Sequence, residues 1–135
     1  MSLKVGNITF DCDDALGVAQ FWSAALGRPL DPDVVPEFAS IGGRDAGRSE
    51  PAWYFEKVPE PKVAKNRLHL DLVDPDPLAV ERLVSLGASV VGEHQIGSHR
   101  WTVMQHLSPA IRVQPGMEFR FGGPRRRFFW PRCCG

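Results

Sequence analysis

The stretch NITFDCDDALGVAQFWSAALG, residues 7–27, predicts a β-strand that leads directly into an α-helix. The strand is expected within residues 4–12, where β-forming side chains are concentrated. The acidic pair Asp13-Asp14 can cap the helix that follows. Apolar side chains recur at helical spacing over residues 15–26, and Gly27 is a typical helix end. The first part of the chain is therefore predicted to be a strand, a turn and an amphipathic helix.

The same layout is predicted twice along the chain. After the first helix, strands are expected at 38–41 and 52–58, followed by a proline-containing linker at 59–65. The second half then reads as a strand, an acidic turn, a helix and further strands. These elements are expected at residues 68–73, 78–86, 89–93, 101–105 and 117–121. The glycines that end the two helices, Gly27 and Gly87, are 60 residues apart, which indicates a duplicated unit.

Composition excludes several classes of protein. The chain of 135 residues is 43% apolar and 24% charged, which suits one folded domain or two fused half-domains. It has no apolar run long enough to cross a membrane and no visible secretory signal. The three cysteines show no zinc-site spacing and suggest free thiols, so a cytoplasmic location is expected.

The net charge of zero conceals an asymmetry. Five of the 16 basic residues lie between residues 120 and 135, where there is no acidic residue. Residues 1–119 therefore carry 11 basic and 16 acidic groups, a net charge of −5. The overall balance argues against a dedicated nucleic-acid-binding protein, unless the basic tail at 122–135 has that role.

Five segments of the chain are distinctive when they are taken together. They are ITFDC at 8–12, QFWSAALGRPL at 20–30, FEKVPEPKVAKNRLHLDL at 55–72, LVSLGASVVGEH at 83–94 and HRWTVM at 99–104. As a set they resemble the vicinal-oxygen-chelate superfamily, the glyoxalase and bleomycin-resistance group, and more narrowly the small glyoxalase-like proteins common in actinobacteria. The resemblance covers about residues 5–104 and is specific as a set, although each segment alone is weak.

The resemblance implies an α+β fold of two βαβββ modules, whose sheets form a curled mixed sheet around a cleft. The modules are expected at about 1–61 and 62–121, with 122–135 as an atypical basic, aromatic tail. Small-molecule binding is implied, together with a homodimer and no membrane association. The implied activity is that of a divalent-metal-dependent lyase, isomerase or dioxygenase. The alternative is a non-catalytic, ligand-sequestering protein like those that confer bleomycin resistance.

The resemblance also implies a set of site residues. Metal-using relatives take one ligand from the first strand and one from the last strand of each module, and the cation acts as a Lewis acid. Carried over by position, the ligands of a Zn, Ni, Mn, Fe or Mg ion are His69, Glu56 and Glu118. Glu56 and Glu118 are also the candidate catalytic carboxylates. Asn7 stands where such relatives carry a better ligand and is assigned to substrate binding. The spacings Asn7 to Glu56 and His69 to Glu118 are both 49 residues.

The remaining candidates come from aromatic and cationic residues. Trp53 is a candidate substrate contact, with a place in the core as the alternative. Arg100 and Trp101, beside two histidines, can meet an anionic or aromatic ligand at the cleft mouth, with a plain hairpin as the alternative. For the tail, three interpretations stay open. They are contact with nucleic acid or an acidic membrane, docking of its aromatic residues on a second subunit, and an out-of-frame reading of a GC-rich gene after about residue 105.

Overall fold

The computed structural model describes residues 2–45, 47, 49–64, 68, 70–73 and 76–106, and the backbone of residues 74 and 110–115. This part of the chain is a mixed α+β structure with two small sheets. The elements are β1 Asn7–Cys12, α1 Ala15–Leu26, β2 Phe38–Ile41, β3 Ala52–Lys57, β4 Leu70–Asp74, α2 Ala79–Ser85, β5 Ser89–Ile96, β6 His99–Gln105 and β7 Ala110–Pro115. Neither helix in this part has the length and apolar character that crossing a bilayer requires.

Helix α1 has the predicted bounds because both of its ends are well defined by the sequence. The side chain of Asp14 accepts a hydrogen bond from the amide of Gly17 at 2.9 Å, which caps the first turn. Gly27 ends the helix with a φ of 63°, a left-handed conformation that glycine adopts without steric cost. The apolar stripe between these ends lies against the first sheet and buries Trp22 completely.

The first sheet has the strand order β1-β3-β2, with β1 parallel to β3 and β2 antiparallel to it. Among the described residues it has three strands, one fewer than a full βαβββ module. The missing strand is reduced to an isolated bridge between Leu30 and Ile41. Pro29 and Pro32 lie close to this bridge on either side, and neither can donate a backbone hydrogen bond to a strand partner.

The second sheet has the order β4-β7-β6-β5, and β4 runs parallel to β7. With α2 between β4 and β5, this is a complete βαβββ arrangement. In both sheets the first strand is the parallel neighbour of the last strand, so the two halves share their topology. Among the described residues the last strand is β7. The predicted strand at 117–121 and the tail at 122–135 lie outside the described residues.

One hydrophobic core joins the two halves, because residues from both helices and both sheets belong to the same buried cluster. The ring of Phe21 in α1 stacks on His106, just after β6, at a centroid distance of 3.8 Å. A guanidinium nitrogen of Arg82 in α2 donates to the backbone carbonyl of Ala25 in α1 at 3.4 Å. The helix-covered sides of both sheets thus face this core.

Candidate functional site

The face of the first sheet opposite α1, here called the open face, carries mainly polar side chains. Alternation along the strands and the pairing register place these residues together, whereas their neighbours pack under the helix. The open face comprises Asn7, Thr9, Asp11, Phe38, Ser40, Tyr54 and Glu56. In this fold a polar sheet face free of a helix is the surface available to a ligand.

A cavity of about 480 Å³, here called the Tyr54 cavity, opens on this face. The rings of Phe38 and Tyr54 form its aromatic wall and meet edge to face, with centroids 5.4 Å apart and an angle of 71° between their planes. The cavity is further lined by Asp31, Asp33, Ser40, Gly43 and Arg44. Its volume is within the range of small-molecule sites.

The carboxylate of Asp31 is held in place at the Tyr54 cavity by two hydrogen bonds. Its Oδ2 accepts hydrogen bonds from the hydroxyl of Ser40 at 2.5 Å and from the amide of Gly43 at 2.8 Å. Ser40 is only 9% exposed, so this anchor lies in the sheet rather than in solvent. Asp33 and Arg44 form an exposed ion pair at the rim, which cancels their charges. The cavity therefore presents a net negative charge beside two aromatic rings.

The open face contains two of the residues predicted from the sequence, but it does not bring them together. In the parallel pair β1–β3, Asn7 is opposite Ala52, whereas Glu56 is opposite Asp11. The two side chains share a face but are four positions apart along the strands. At roughly 3.3 Å per residue, this separation is about 13 Å. One metal ion does not reach both Asn7 and Glu56.

The strand register of the second sheet does not agree with the equivalence of Glu56 and Glu118 that the sequence spacing suggested. If Asn7 corresponds to His69, equivalent positions in the two halves differ by 62 in residue number. Asp11, which pairs with Glu56, then corresponds to Val73. Val73 pairs with Gln114, so Gln114 occupies the register position that corresponds to Glu56. Strand β7, with the sequence AIRVQP, contains no acidic residue. The equal spacings of 49 residues therefore do not reflect how the strands pair in the two sheets. His69 and Glu118 themselves lie outside the described residues.

Trp53 lies on the helix-covered side of the first sheet rather than on the open face. Its ring meets Trp22 of α1 edge to face at 5.2 Å and Phe10 of β1 at 5.3 Å. Trp53 thus lies at the edge of the core, which is the alternative to a substrate contact.

Trp101 and Arg100 are neighbours on β6 whose side chains point to opposite faces of the second sheet. Trp101 is flanked by His94 at 5.5 Å and His99 at 5.4 Å, in an aromatic row. Arg100 shares the other face with Met104, which is buried in the core. Both residues line a second cavity of about 550 Å³ between the start of α2 and the β5–β6 hairpin.

Two titratable groups have shifted pKa values because they are buried. Burial raises the pKa of the Cys12 thiol to about 11, and the negative charges of Asp13, Asp14 and Asp11 add to this effect. A thiol with this pKa is a poor nucleophile at neutral pH. Burial also lowers the pKa of His106, whose Nδ1 has no hydrogen-bond partner among the described residues. The Cys12 thiol is therefore not suited to nucleophilic catalysis where it stands.

The described residues do not fit a metal centre. They contain no group of three histidine, cysteine, aspartate or glutamate side chains that is close enough to hold one ion. Glu56 has Asp11 as its cross-strand neighbour, and a pair of carboxylates alone is an incomplete ligand set.

The paired sheets, with a parallel first and last strand in each half and a polar open face, define the vicinal-oxygen-chelate class of domain. A family model described as a glyoxalase-like domain matches residues 7–107, and the chain belongs to this family. Among curated proteins, none matches this chain in sequence.

Solved structures share the fold at low sequence identity. A glyoxalase/bleomycin resistance protein/dioxygenase family enzyme from Burkholderia phytofirmans is 12% identical, with a TM-score of 0.62 over 82% of this chain and 97% of that one. The fosfomycin resistance protein FosX from Listeria monocytogenes, solved with Mn(II) and dihydroxypropylphosphonic acid, is 11% identical, with a TM-score of 0.65 and coverages of 87% and 94%. Lactoylglutathione lyase from Agrobacterium tumefaciens is 12% identical, with a TM-score of 0.58 and coverages of 87% and 97%. Of these three structural neighbours, FosX is the one whose structure is described with a bound metal ion.

Sequence reasoning did not find the residues that build the Tyr54 cavity. Asp31, Ser40 and Gly43 lie within residues 30–50, where several prolines and glycines predict only short strands and loops. One signal was available: Phe38 and Ser40 share a face of a predicted strand, and Tyr54 alternates with Glu56 on another. What the sequence did not reveal was the antiparallel register that places Ser40 opposite Tyr54.

Proposed function

We propose that the chain is a glyoxalase-like small-molecule-binding protein that holds a small organic cation on the open face of its first sheet. The observation that carries the proposal is the Asp31 carboxylate, fixed by Ser40 and Gly43 beside the rings of Phe38 and Tyr54. The family resemblance, which implies a cleft lined by sheet faces, supports this choice of surface.

The chemistry of the cavity favours a cation over an anion or a neutral molecule. Aromatic faces attract ammonium groups by about 0.5–2 kcal/mol, more when the cation is desolvated. The Asp31 carboxylate adds an attraction that exceeds the value for a fully exposed pair, because the anchored group is only partly exposed. The ion pair between Arg44 and Asp33 cancels two charges, so the charge of Asp31 is not offset.

Calorimetric titration with tetramethylammonium tests this proposal, with tert-butanol as a neutral molecule of similar shape. We expect wild-type protein to bind the cation and not the alcohol. Asp31→Asn keeps an acceptor for Ser40 and Gly43 but removes the charge, and should weaken binding at least about tenfold, or ~1.4 kcal/mol. Tyr54→Leu should weaken it about 2- to 30-fold, the equivalent of one cation–π contact. Asp33→Asn is the matched control at the rim and should have little effect. Equal binding of the cation and the alcohol contradicts the proposal.

The competing proposal is a divalent-metal enzyme in which His69, Glu56 and Glu118 hold the ion and a carboxylate moves a proton. It is supported by the shared fold, because the structurally similar FosX from Listeria monocytogenes was solved with Mn(II). Metal analysis of protein purified without chelators, and melting curves with added Mn, Ni, Zn or Mg, separate the two proposals. One equivalent of metal, and a rise in Tm that Glu56→Gln abolishes, would favour the enzyme over the cation-binding protein.

We also propose a homodimer, as the family resemblance implies. The second sheet ends in the long edge strand β5, on which Val90, Val91 and Ile96 are 48%, 62% and 53% exposed. An exposed apolar edge strand is a surface that a second copy can cover. Light scattering of the purified chain should give twice the monomer mass, and Val91→Lys should shift the mass towards the monomer. A monomeric mass for the wild type at micromolar concentration contradicts this proposal.

A further inference from the structure

The second cavity, here called the Arg100 cavity, lies on the side of the second sheet that faces α2. The β5–β6 hairpin extends past the start of this short helix, and the space of about 550 Å³ lies between them. Its floor is formed by two cross-strand pairs, Glu93 with Thr102 and Gln95 with Arg100. It shares no lining residue with the Tyr54 cavity.

The guanidinium of Arg100 is held in place by its neighbours. Its Nε donates to Oε1 of Gln95 at 3.0 Å, and Nε2 of Gln95 donates to the carbonyl of Gly97 at 2.8 Å. Gly97 has a φ of 62° at the hairpin turn. The carbonyl that anchors these two hydrogen bonds therefore belongs to a defined turn of the backbone. Within the described part of the chain, nothing bonds to the two terminal nitrogens of Arg100. A guanidinium oriented in this way is suited to bind a carboxylate with both terminal nitrogens.

A carboxylate in the same cavity complements the arginine. Glu93 is on the same face as Arg100 and diagonal to it, a placement that separates the two residues by roughly 7–8 Å in an antiparallel sheet. No ion pair joins Glu93 to Arg100. A free anion such as phosphate would be repelled by Glu93, whereas a ligand with both charges would be attracted at each end.

The apolar part of the lining gives the third contact. Pro77, Ala79 and Val80 at the start of α2 form the wall opposite the hairpin. This wall has no charged side chain, and His94 and Trp101 also line the cavity. The cavity therefore combines a cation, an anion and an apolar wall within the span of one small molecule.

We propose that the Arg100 cavity binds a free α-amino acid with an aliphatic side chain. The ligand's carboxylate contacts the terminal nitrogens of Arg100, its ammonium group contacts Glu93, and its side chain packs on Pro77 and Val80. This site is independent of the open face and adds a second ligand class to the protein.

Titration of isotope-labelled protein with L-leucine, followed by amide chemical shifts, tests the proposal. Isovalerate and 3-methylbutylamine serve as probes that lack the ammonium group and the carboxylate, respectively. We expect leucine to shift the amides of the β5–β6 hairpin at concentrations up to about 10 mM, and each partial ligand to bind at least about tenfold more weakly. Isovalerate binding as tightly as leucine, or the absence of leucine shifts, would overturn the proposal.

Variants separate this site from the Tyr54 cavity. Arg100→Gln removes an exposed side chain with little risk to folding and should abolish leucine binding, whereas Arg44→Gln is a matched control that should not. Gln95→Met should weaken leucine binding less than Arg100→Gln does, because it frees the guanidinium without removing it. Arg100→Gln should leave tetramethylammonium binding unchanged, and Asp31→Asn should leave leucine binding unchanged. Leucine binding that survives Arg100→Gln would contradict the assignment.

Discussion

Replacing Gly43 by alanine should both destabilise the fold and close the Tyr54 cavity. A Cβ at this position would lie 3.0 Å from Oδ2 of Asp31, 3.1 Å from Cε1 of Tyr54 and 3.3 Å from Oγ of Ser40. All three distances are shorter than most contacts of real Cβ atoms, so the neighbours would have to move by a few tenths of an ångström. Overpacking of this kind costs about 1–3 kcal/mol.

One effect opposes the overpacking. Gly43 does not have a positive φ, so alanine is compatible with its backbone and lowers the entropy of the unfolded chain. That stabilises by about 0.4–1 kcal/mol. The net expectation is a loss of about 1–2 kcal/mol in the free energy of unfolding. The displaced Asp31 and Tyr54 should also lose affinity for tetramethylammonium.

Urea unfolding measures the loss. With a slope of about 2 kcal/mol per molar urea, the middle of the usual range, a loss of about 1–2 kcal/mol lowers the midpoint by roughly 0.5–1 M. Gly6→Ala is the matched control, because nothing lies within 4 Å of a Cβ there. We expect that variant to be as stable as wild type or slightly more so. If Gly43→Ala behaves like Gly6→Ala in both stability and cation binding, the close packing around Asp31 is refuted.

Three further predictions concern the fold and its titratable groups. Asp14→Ala should cost about 1 kcal/mol by removing the cap of α1, whereas Asp13→Ala should cost much less; equal losses in urea unfolding would argue against capping. The lowered pKa of His106 implies stability that is present above a pH of about 6.5 and is lost as the pH falls further. The Tm should therefore fall more between about pH 7 and pH 5 for wild type than for His106→Phe, a variant that keeps the stack on Phe21. The raised pKa of Cys12 implies stability that is lost as the pH rises from 9 towards about 11, and mass spectrometry should find the thiol alkylated at about pH 8 only after unfolding.

The local structure was largely predictable from the sequence because its signals are strong and short-range. The bounds of α1 follow from Asp14 and Gly27, and the strands at 38–41 and 52–57 differ from the prediction by at most one residue. The fourth strand of the first module was not predictable in this way. Prolines break it down to the bridge at Leu30, and no periodic pattern marks a single bridge.

The candidate site was less predictable because it depends on register. The equal spacings of 49 residues, from Asn7 to Glu56 and from His69 to Glu118, are what a duplicated unit would give. Which residues lie opposite each other in two parallel strands depends, however, on how the strands align and not on the number of residues between them. The polar anchor of Asp31 depends on a turn that brings Gly43 back to it, 12 residues further along the chain. Arg100 was predicted as a ligand contact from its neighbours, but the bonds that orient it became visible only with the hairpin register.

The central claim is that the open face of the first sheet binds an organic cation through Asp31. A crystal structure of the protein grown with tetramethylammonium tests it most directly. We predict the cation between Phe38 and Tyr54, within about 6 Å of a ring centroid, with its positive charge facing the carboxylate of Asp31. An empty Tyr54 cavity at saturating tetramethylammonium, or a metal ion bound by Glu56 and His69, would contradict the claim.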